Sequence, residues 1–399
     1  VAIEFALDSE IAKLRQQVRE FIDAVVIPCE AEVKGQHGIP DDVRARLQQA
    51  AREAGLFAPH MPAELGGLGL DTRGQAVIFE EAGRSPLGPA ALNCSAPDEG
   101  NMLLLERVAT PAQRERYLRP LAGGQTRSCF AMTEPAPGAG ADPGSLLTSA
   151  VRDGDSWVIS GRKHFITGAQ GAAFAIVMAR TGEGAATMFL VDADNPGMSV
   201  TRVINTIDTT FSGGHAVVDF DHCQVDGDAV LGRPDEGFNY AQVRLGPARL
   251  THCMRWLGLA TRAHDIAVGY AAGRRLFGAV LGELGMAQAQ IADSEIDIAA
   301  SRALIWQAAW ALDNGQPARQ ETSVAKVFVA EAVNRVIDRS VQLCGGLGVS
   351  GDLPLAQFMA EVRPFRIYDG PSEVHRMSIA RRSVRSWQRQ HPDAGPSSR

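Results

Sequence analysis

The residues best placed to do chemistry lie together in Arg366-Ile367-Tyr368-Asp369-Gly370-Pro371-Ser372-Glu373-Val374-His375-Arg376, a break between two helical patterns. A Gly-Pro pair interrupts regular structure and lets the backbone approach a ligand. Asp369 stands just before that break, beside Ile367 and Tyr368. A carboxylate among apolar neighbours is a candidate general base, because partial desolvation raises its pKa toward neutrality. Taken alone, Asp369 is equally a turn residue or an N-cap for the helix that follows.

Three other stretches carry groups that could meet a cofactor. Thr133-Glu134-Pro135 opens a Gly-rich turn that runs through Gly138, Gly140, Ala141 and Pro143, after a short strand Ser128 to Met132. It is either a sheet corner or a surface that offers a hydroxyl and N–H groups to a planar polar heterocycle. Phe165-Ile166-Thr167 closes a later strand with a similar aromatic and hydroxyl pair. A flavin needs such a lining: an apolar wall for the ring and donors for its N1, O2, O4 and N5 edges. Arg274-Arg275-Leu276-Phe277-Gly278 puts two cations beside an aromatic at a helix end. They either complement the helix dipole or clamp a pyrophosphate. Gly346-Leu347-Gly348-Val349-Ser350-Gly351 spells the dinucleotide fingerprint, but a helical pattern precedes it where a strand is required. A Gly-rich helix terminus, with Gly345 as the stop, explains those glycines. The histidines show no metal-binding spacing, and His215, His252 and His375 read as packing or surface residues.

These stretches need elements to hold them. Residues 1–127 read as helices: Ile11, Leu14, Val18, Phe21, Ile22 and Val25 recur at threes and fours, as do Val43, Leu47, Ala50, Ala51 and Ala54. From 128 to 240 the texture is short β-branched and aromatic runs between turn signals, with Asp153-Gly154-Asp155 as a hairpin. Spacing that short leaves no room for crossover helices and predicts an antiparallel sheet or barrel. From 241 to 387 helical spacing returns, with long helices expected over 246–273, 286–315 and 324–344 and a fourth after Asp369. Residues 388–399 read as a disordered tail. The fold class expected is α+β, mostly α: an N-terminal helical domain, a middle antiparallel β-domain and a C-terminal four-helix bundle.

The totals narrow the function. The chain has 399 residues and a net charge of −7, with no dense basic cluster in the expected folded part, which argues against nucleic acid. No apolar run reaches the roughly 20 residues of a membrane helix, so no membrane insertion is expected. The six cysteines are scattered without a Cys-x-x-Cys pair, which predicts free thiols and no structural zinc. No basic-then-apolar segment opens the chain, and the expected location is cytoplasmic.

Taken together, Phe130 to Pro135, Gly161 to Thr167, Arg274 to Gly278, Gln342 to Gly348 and Ile367 to Gly370 resemble the acyl-CoA dehydrogenase family in order and spacing, from about residue 8 to residue 386. The resemblance implies FAD as cofactor and a homo-oligomer, a tetramer built from dimers. Met132, Thr133, Gly140, Ala141, Phe165, Ile166 and Thr167 would then hold the flavin. Arg274, Phe277, Gln288, Gln342, Gly345 and Gly346 would hold its phosphates and adenosine, partly across a subunit boundary. Ser372 and Glu373 would also approach FAD. Arg249, Gly370 and Ala141 would line the acyl-CoA pocket, and Asp369 would be the base.

The reaction implied is α,β-dehydrogenation of an acyl-CoA thioester to the trans-2-enoyl-CoA. Asp369 would take the α-proton, flavin N5 the β-hydride, and an electron-transfer flavoprotein the electrons. Three departures stand out. Asp369 replaces the family's usual glutamate and is about 1.5 Å shorter in reach, where displacements near 1 Å already matter; a sub-branch resembles the chain in having Asp-Gly-Pro-x-Glu-Val-His. Ala141 replaces a usual serine. Gly285 replaces a usual glutamine, with Gln288 nearby. An acyl-CoA oxidase using O2, a flavin monooxygenase of the same fold and a non-enzymatic acyl-CoA-binding protein are the competing readings.

Overall fold

The computed structural model describes residues 6–36 and 38–392. Apart from the first few residues, they divide into two compact units, Leu7–Ala248 and the chain from Arg249 onward.

The first unit begins with amphipathic helices. Ser9–Phe21 is N-capped by the Asp8 carboxylate and buries Val18 and Phe21. Asp41–Glu53 buries Val43, Leu47 and Ala51 on one stripe, as the spacing requires. Thr72–Ala82 is capped by Asp71, and Asp98–Val108 buries Met102, Leu104 and Leu105. Helical structure ends at Ala122, and the first strand starts at Ser128.

The seven strands are β1 Ser128–Ala131, β2 Ser149–Asp153, β3 Ser156–Thr167, β4 Phe174–Gly182, β5 Ala185–Asp192, β6 Met198–Ile204 and β7 His215–Asp226. They form one sheet in the order β1-β4-β2-β3-β7-β6, with β5 also on β4. The β2–β3, β3–β7, β4–β5 and β6–β7 pairs are antiparallel, whereas β1 runs parallel to β4. Gly154, at φ +60°, makes the two-residue turn between β2 and β3 that its Asp-Gly-Asp context predicts. Phe174 to Ala179 and Ala186 to Val191 are buried at every position, so β4 and β5 read as unbroken apolar runs rather than alternations. Ile159, Ile166, Val177, Phe189, Val218 and Phe220 join in the core of the sheet.

In the second unit, the helices Gly285–Asp313 and Arg319–Cys344 pack on one another, and Ser372–Gln390 packs on Arg319–Cys344. The long helix that ends at Gly273 starts earlier, at Gly237. Val333, Val336, Ile337 and Val341 lie on the buried face, as do Ile298 and Ile305, whereas Ile291 and Leu304 are half-buried. The last helix runs through Gln390, so residues 388–390 are helical, not tail; 393–399 lie outside the described residues. Arg275–Leu276 pairs with Ala279–Val280, so the predicted turn is a small hairpin with Phe277 and Gly278 at its tip.

Candidate active site

Asp369 sits in the break between the short helical turn Arg363–Arg366 and the helix Ser372–Gln390. Its backbone is left-handed at φ +53°, and Gly370 follows at φ +93°. Aspartate tolerates that region better than most side chains, and glycine enters it freely. Gly370 is required on a second ground: a Cβ there would lie 2.8 Å from His375 Nε2. Two donors pin the turn. Arg249 Nε reaches the Asp369 carbonyl at 2.9 Å and His375 Nε2 reaches it at 3.1 Å. Burial pushes the His375 imidazole down to about 4, so it is neutral at pH 7 and its Nε2 carries the donated proton. Glu331 ties down both ends of the segment, accepting from Ser372 Oγ at 3.0 Å and pairing with Arg366 at 2.8 Å.

The side chain of Asp369 is different. Its Oδ2 is buried, makes no hydrogen bond among the described residues and has His252 Nε2 at 3.5 Å. A buried acceptor that makes no hydrogen bond costs about 1–3 kcal/mol, so this oxygen gains by taking a proton or a hydrogen-bond donor. Aromatic rings enclose the approach: His252, Phe365 and Tyr368 have ring centroids 4.9–6.0 Å apart. The Tyr368 hydroxyl accepts from Trp256 Nε1 at 2.5 Å. Beneath them Lys326 is fully buried, donates to the Phe365 carbonyl and lies 4.6 Å over the Phe365 ring. Burial brings its pKa down to about 8, so it stays a cation at neutral pH. A half-buried acid whose inner oxygen makes no hydrogen bond, close to a fixed cation and an apolar wall, is able to remove a proton from a bound molecule.

The β-sheet unit holds a second arrangement. The Glu134 carboxylate accepts from Lys163 Nζ at 2.9 Å and from the N–H groups of Ala139, Leu147 and Thr148 at 2.7–3.1 Å. Lys163 also donates to the Met132 carbonyl at 3.0 Å, and His164 N–H to that of Thr133 at 2.8 Å. Burial would raise Glu134, but Lys163 and these donors bring it down to about 2, while burial lowers Lys163 to about 8. The Gly-rich turn is thus wrapped around one ionised carboxylate, and a Cβ at Gly138 would collide with it at 2.4 Å.

The sequence-chosen residues separate into those that present a surface and those that do not. Met132 and Thr133 are half-buried, and Gly140 and Ala141 are exposed. Phe165 is exposed at φ +56°, and Thr167 is half-buried. A register shift between Lys163 and Ile166 turns these residues. Ile166 is a correction: its side chain is 1% exposed and packs in the sheet core, so only its main chain can meet a ligand. In the helical unit Arg274, Phe277, Gln288, Gln342, Gly345, Gly346 and Glu373 are all exposed, Phe277 at the hairpin tip to 93%. Gly345 and Gly346 have open space where a Cβ would stand. Ser372 is buried on Glu331, a positioning contact.

The three histidines pack within the fold and carry polar contacts as well. His375 holds the Asp369 carbonyl, His252 lies beside the carboxylate, and His215 bridges Thr167 and Asp208 at 2.9 Å on each side. Sequence reasoning passed over Lys163 and Lys326. Each is a lysine at a buried position of an otherwise apolar pattern, which is the signal that could have found them. Gly346-x-Gly348 lies in a four-residue helix after a helix stop at Gly345, φ +57°, as expected of a terminus. Asn93 donates to the Leu121 and Ala122 carbonyls, and Asp98 accepts from the Ser128 N–H and hydroxyl.

Comparison with known proteins follows this geometry. Three family models match: the acyl-CoA dehydrogenase N-terminal domain over residues 8–125, the middle domain over 129–218 and the C-terminal domain over 235–384. The chain is 37% identical to the probable acyl-CoA dehydrogenase FadE2 of Mycobacterium tuberculosis, over 95% of this chain and 96% of that one. It is 37% identical to acyl-CoA dehydrogenase family member 11 of Gallus gallus, of which it spans about half, 49%, with 92% of its own length. Among solved structures, butyryl-CoA dehydrogenase from Megasphaera elsdenii superposes with a TM-score of 0.86 at 25% identity, over 96% of this chain and all of that one.

Proposed function

The chain belongs to the acyl-CoA dehydrogenase family of oxidoreductases, and from that premise we propose that it is a flavoprotein that removes the α-proton of an acyl-CoA thioester through Asp369. The observation that carries this reading is the buried, hydrogen-bond-free Oδ2 of Asp369, on a turn whose carbonyl is fixed by two donors.

The residues fit FAD. The sheet offers an exposed aromatic, Phe165, a hydroxyl, Thr167, and the Met132–Thr133 backbone; the helical unit offers an exposed Phe277 beside Arg274, and the uncrowded Gly345 and Gly346. FAD supplies the hydride acceptor for the β-carbon. Asp369 Oδ2 receives the α-proton. The developing enolate needs donors at the thioester oxygen, and such donors are each worth about 3 kcal/mol. Among the described residues the N–H groups of Asp369 and Gly370 have no partner, so the same turn supplies base and donor. The rings of Phe365 and Tyr368 exclude water, which strengthens both interactions. Arg249 holds the turn through the Asp369 carbonyl. The product is a trans-2-enoyl-CoA, with an electron-transfer flavoprotein as electron acceptor and a homotetramer as the working assembly.

The test is anaerobic titration with a panel of acyl-CoA thioesters, followed at the flavin band. Asp369→Asn should abolish bleaching while flavin stays bound. Undiminished bleaching in that variant removes Asp369 as the base. Peroxide release in place of transfer to an artificial acceptor would reassign the enzyme as an oxidase, with the same first half-reaction.

A further inference from the structure

We propose that Asp208 and His215 fix the proton of the Thr167 hydroxyl, so that Thr167 meets the flavin as a hydrogen-bond acceptor; this rests on the flavoprotein reading above. Thr167 ends β3 and His215 opens β7, and the two are direct partners in the antiparallel ladder. Thr167 Oγ1 lies 2.9 Å from His215 Nδ1, and His215 Nε2 lies 2.9 Å from Asp208 Oδ2. The carboxylate and imidazole are screened from water, at 2% and 12% side-chain exposure, and the Phe211 ring packs on the imidazole at 5.5 Å. The stretch that carries Asp208 is tied at Thr209, whose carbonyl accepts from the Gly38 N–H, and at Gly214, whose carbonyl accepts from the Gly168 N–H.

The order of the three groups sets the direction of each bond. Burial would raise Asp208, but the hydrogen bond from His215 offsets this and holds the carboxyl below its usual range. An ionised carboxylate only accepts, so His215 Nε2 carries a proton. With that single ring proton on Nε2, Nδ1 is bare and only accepts, and the Thr167 hydroxyl must donate to it. The hydroxyl proton is committed, and the oxygen's lone pairs are left to act as acceptors. An isoalloxazine gains N–H donors on reduction at nitrogens that are bare acceptors when oxidised. A hydroxyl locked as an acceptor therefore favours the reduced ring. No proton changes owner in this arrangement: Thr167 keeps its hydrogen, and Asp208 and His215 act as positioning residues.

Redox titration of the flavin-loaded protein tests this. His215→Phe keeps a ring but releases the hydroxyl proton, and Asp208→Leu removes the acceptor that fixes the tautomer. Each should lower the preference for reduced flavin about tenfold, the worth of one hydrogen bond, which is about 30 mV for a two-electron couple. Thr167→Val should do the same, Thr167→Ser should keep the wild-type potential, and His215→Phe should add nothing in the Thr167→Val background. Nitrogen NMR of the flavin-free protein should show His215 protonated at Nε2 and bare at Nδ1. A preference for reduced flavin within twofold of wild type in His215→Phe or Asp208→Leu with flavin bound, or an Nδ1-protonated His215, overturns the proposal. A wild-type protein that takes up no flavin overturns the flavoprotein reading instead, and this one with it.

Discussion

Replacing Glu134 by glutamine should cost the sheet-bearing unit about 3–5 kcal/mol, the usual consequence of removing one partner from a buried ion pair. Lys163 is fully buried, and its donors go to Glu134 Oε1 and the Met132 carbonyl. Glutamine leaves that ammonium without a counter-charge. It also sets an amide NH2 where either Lys163 and Thr148 or Ala139 and Leu147 now donate, so at least two donors face a donor, at about 1 kcal/mol each. Burial would raise the Glu134 carboxyl, but Lys163 and the backbone donors hold it down at about 2, well below the ordinary glutamate range. Because the folded value is depressed, that stability is present above about pH 4.5 and is lost as the pH falls through about 2. Urea denaturation at pH 7 measures the loss directly, and a series down to pH 3 should show a shallower acid dependence in the variant. Adding Lys163→Met should recover part of the loss, since the stranded charge is gone. Flavin retention should fall with stability, because Met132 and Thr133 are held by Lys163 and the neighbouring His164 N–H. A Glu134→Gln protein within 1 kcal/mol of wild type, with unchanged acid dependence, would refute the claim that this pair organises the turn.

Other outcomes follow from the Asp369 turn. Gly370→Ala puts a methyl 2.8 Å from His375 Nε2 at a φ of +93°; it should destabilise by about 1–3 kcal/mol and lower kcat more than flavin content, read by thermal melting and turnover. His375 is depressed to about 4 from 6.5, so the unfolded chain binds its proton first and wild-type stability should fall as the pH drops from 6.5 toward 4. The loss due to His375 should be about 2 kcal/mol by pH 5, and melts of His375→Gln should lack that component.

The sequence singles out Asp369 because its signals are local. A Gly-Pro break beside Asp369, the Asp-Gly-Asp turn before β3 and the three-and-four spacing of Val333, Val336, Ile337 and Val341 can each be read within a short window, since backbone conformation and helical periodicity are properties of neighbours. The same local grounds exclude Gly346 to Gly351 as a dinucleotide site, because a helical pattern precedes it. What only the tertiary structure decided are the meetings of distant residues. Glu134 finds Lys163 across β-structure, His215 finds Thr167 through strand register, and β1 takes its place parallel to β4. Register is settled by the whole ladder, and a single shift between Lys163 and Ile166 helps decide which side chains turn outward, sending Ile166 into the core. Periodicity counts positions along one strand; it holds no record of the partner strand, and so it could name Asp369 but not the buried cations and imidazoles that hold these sites in place.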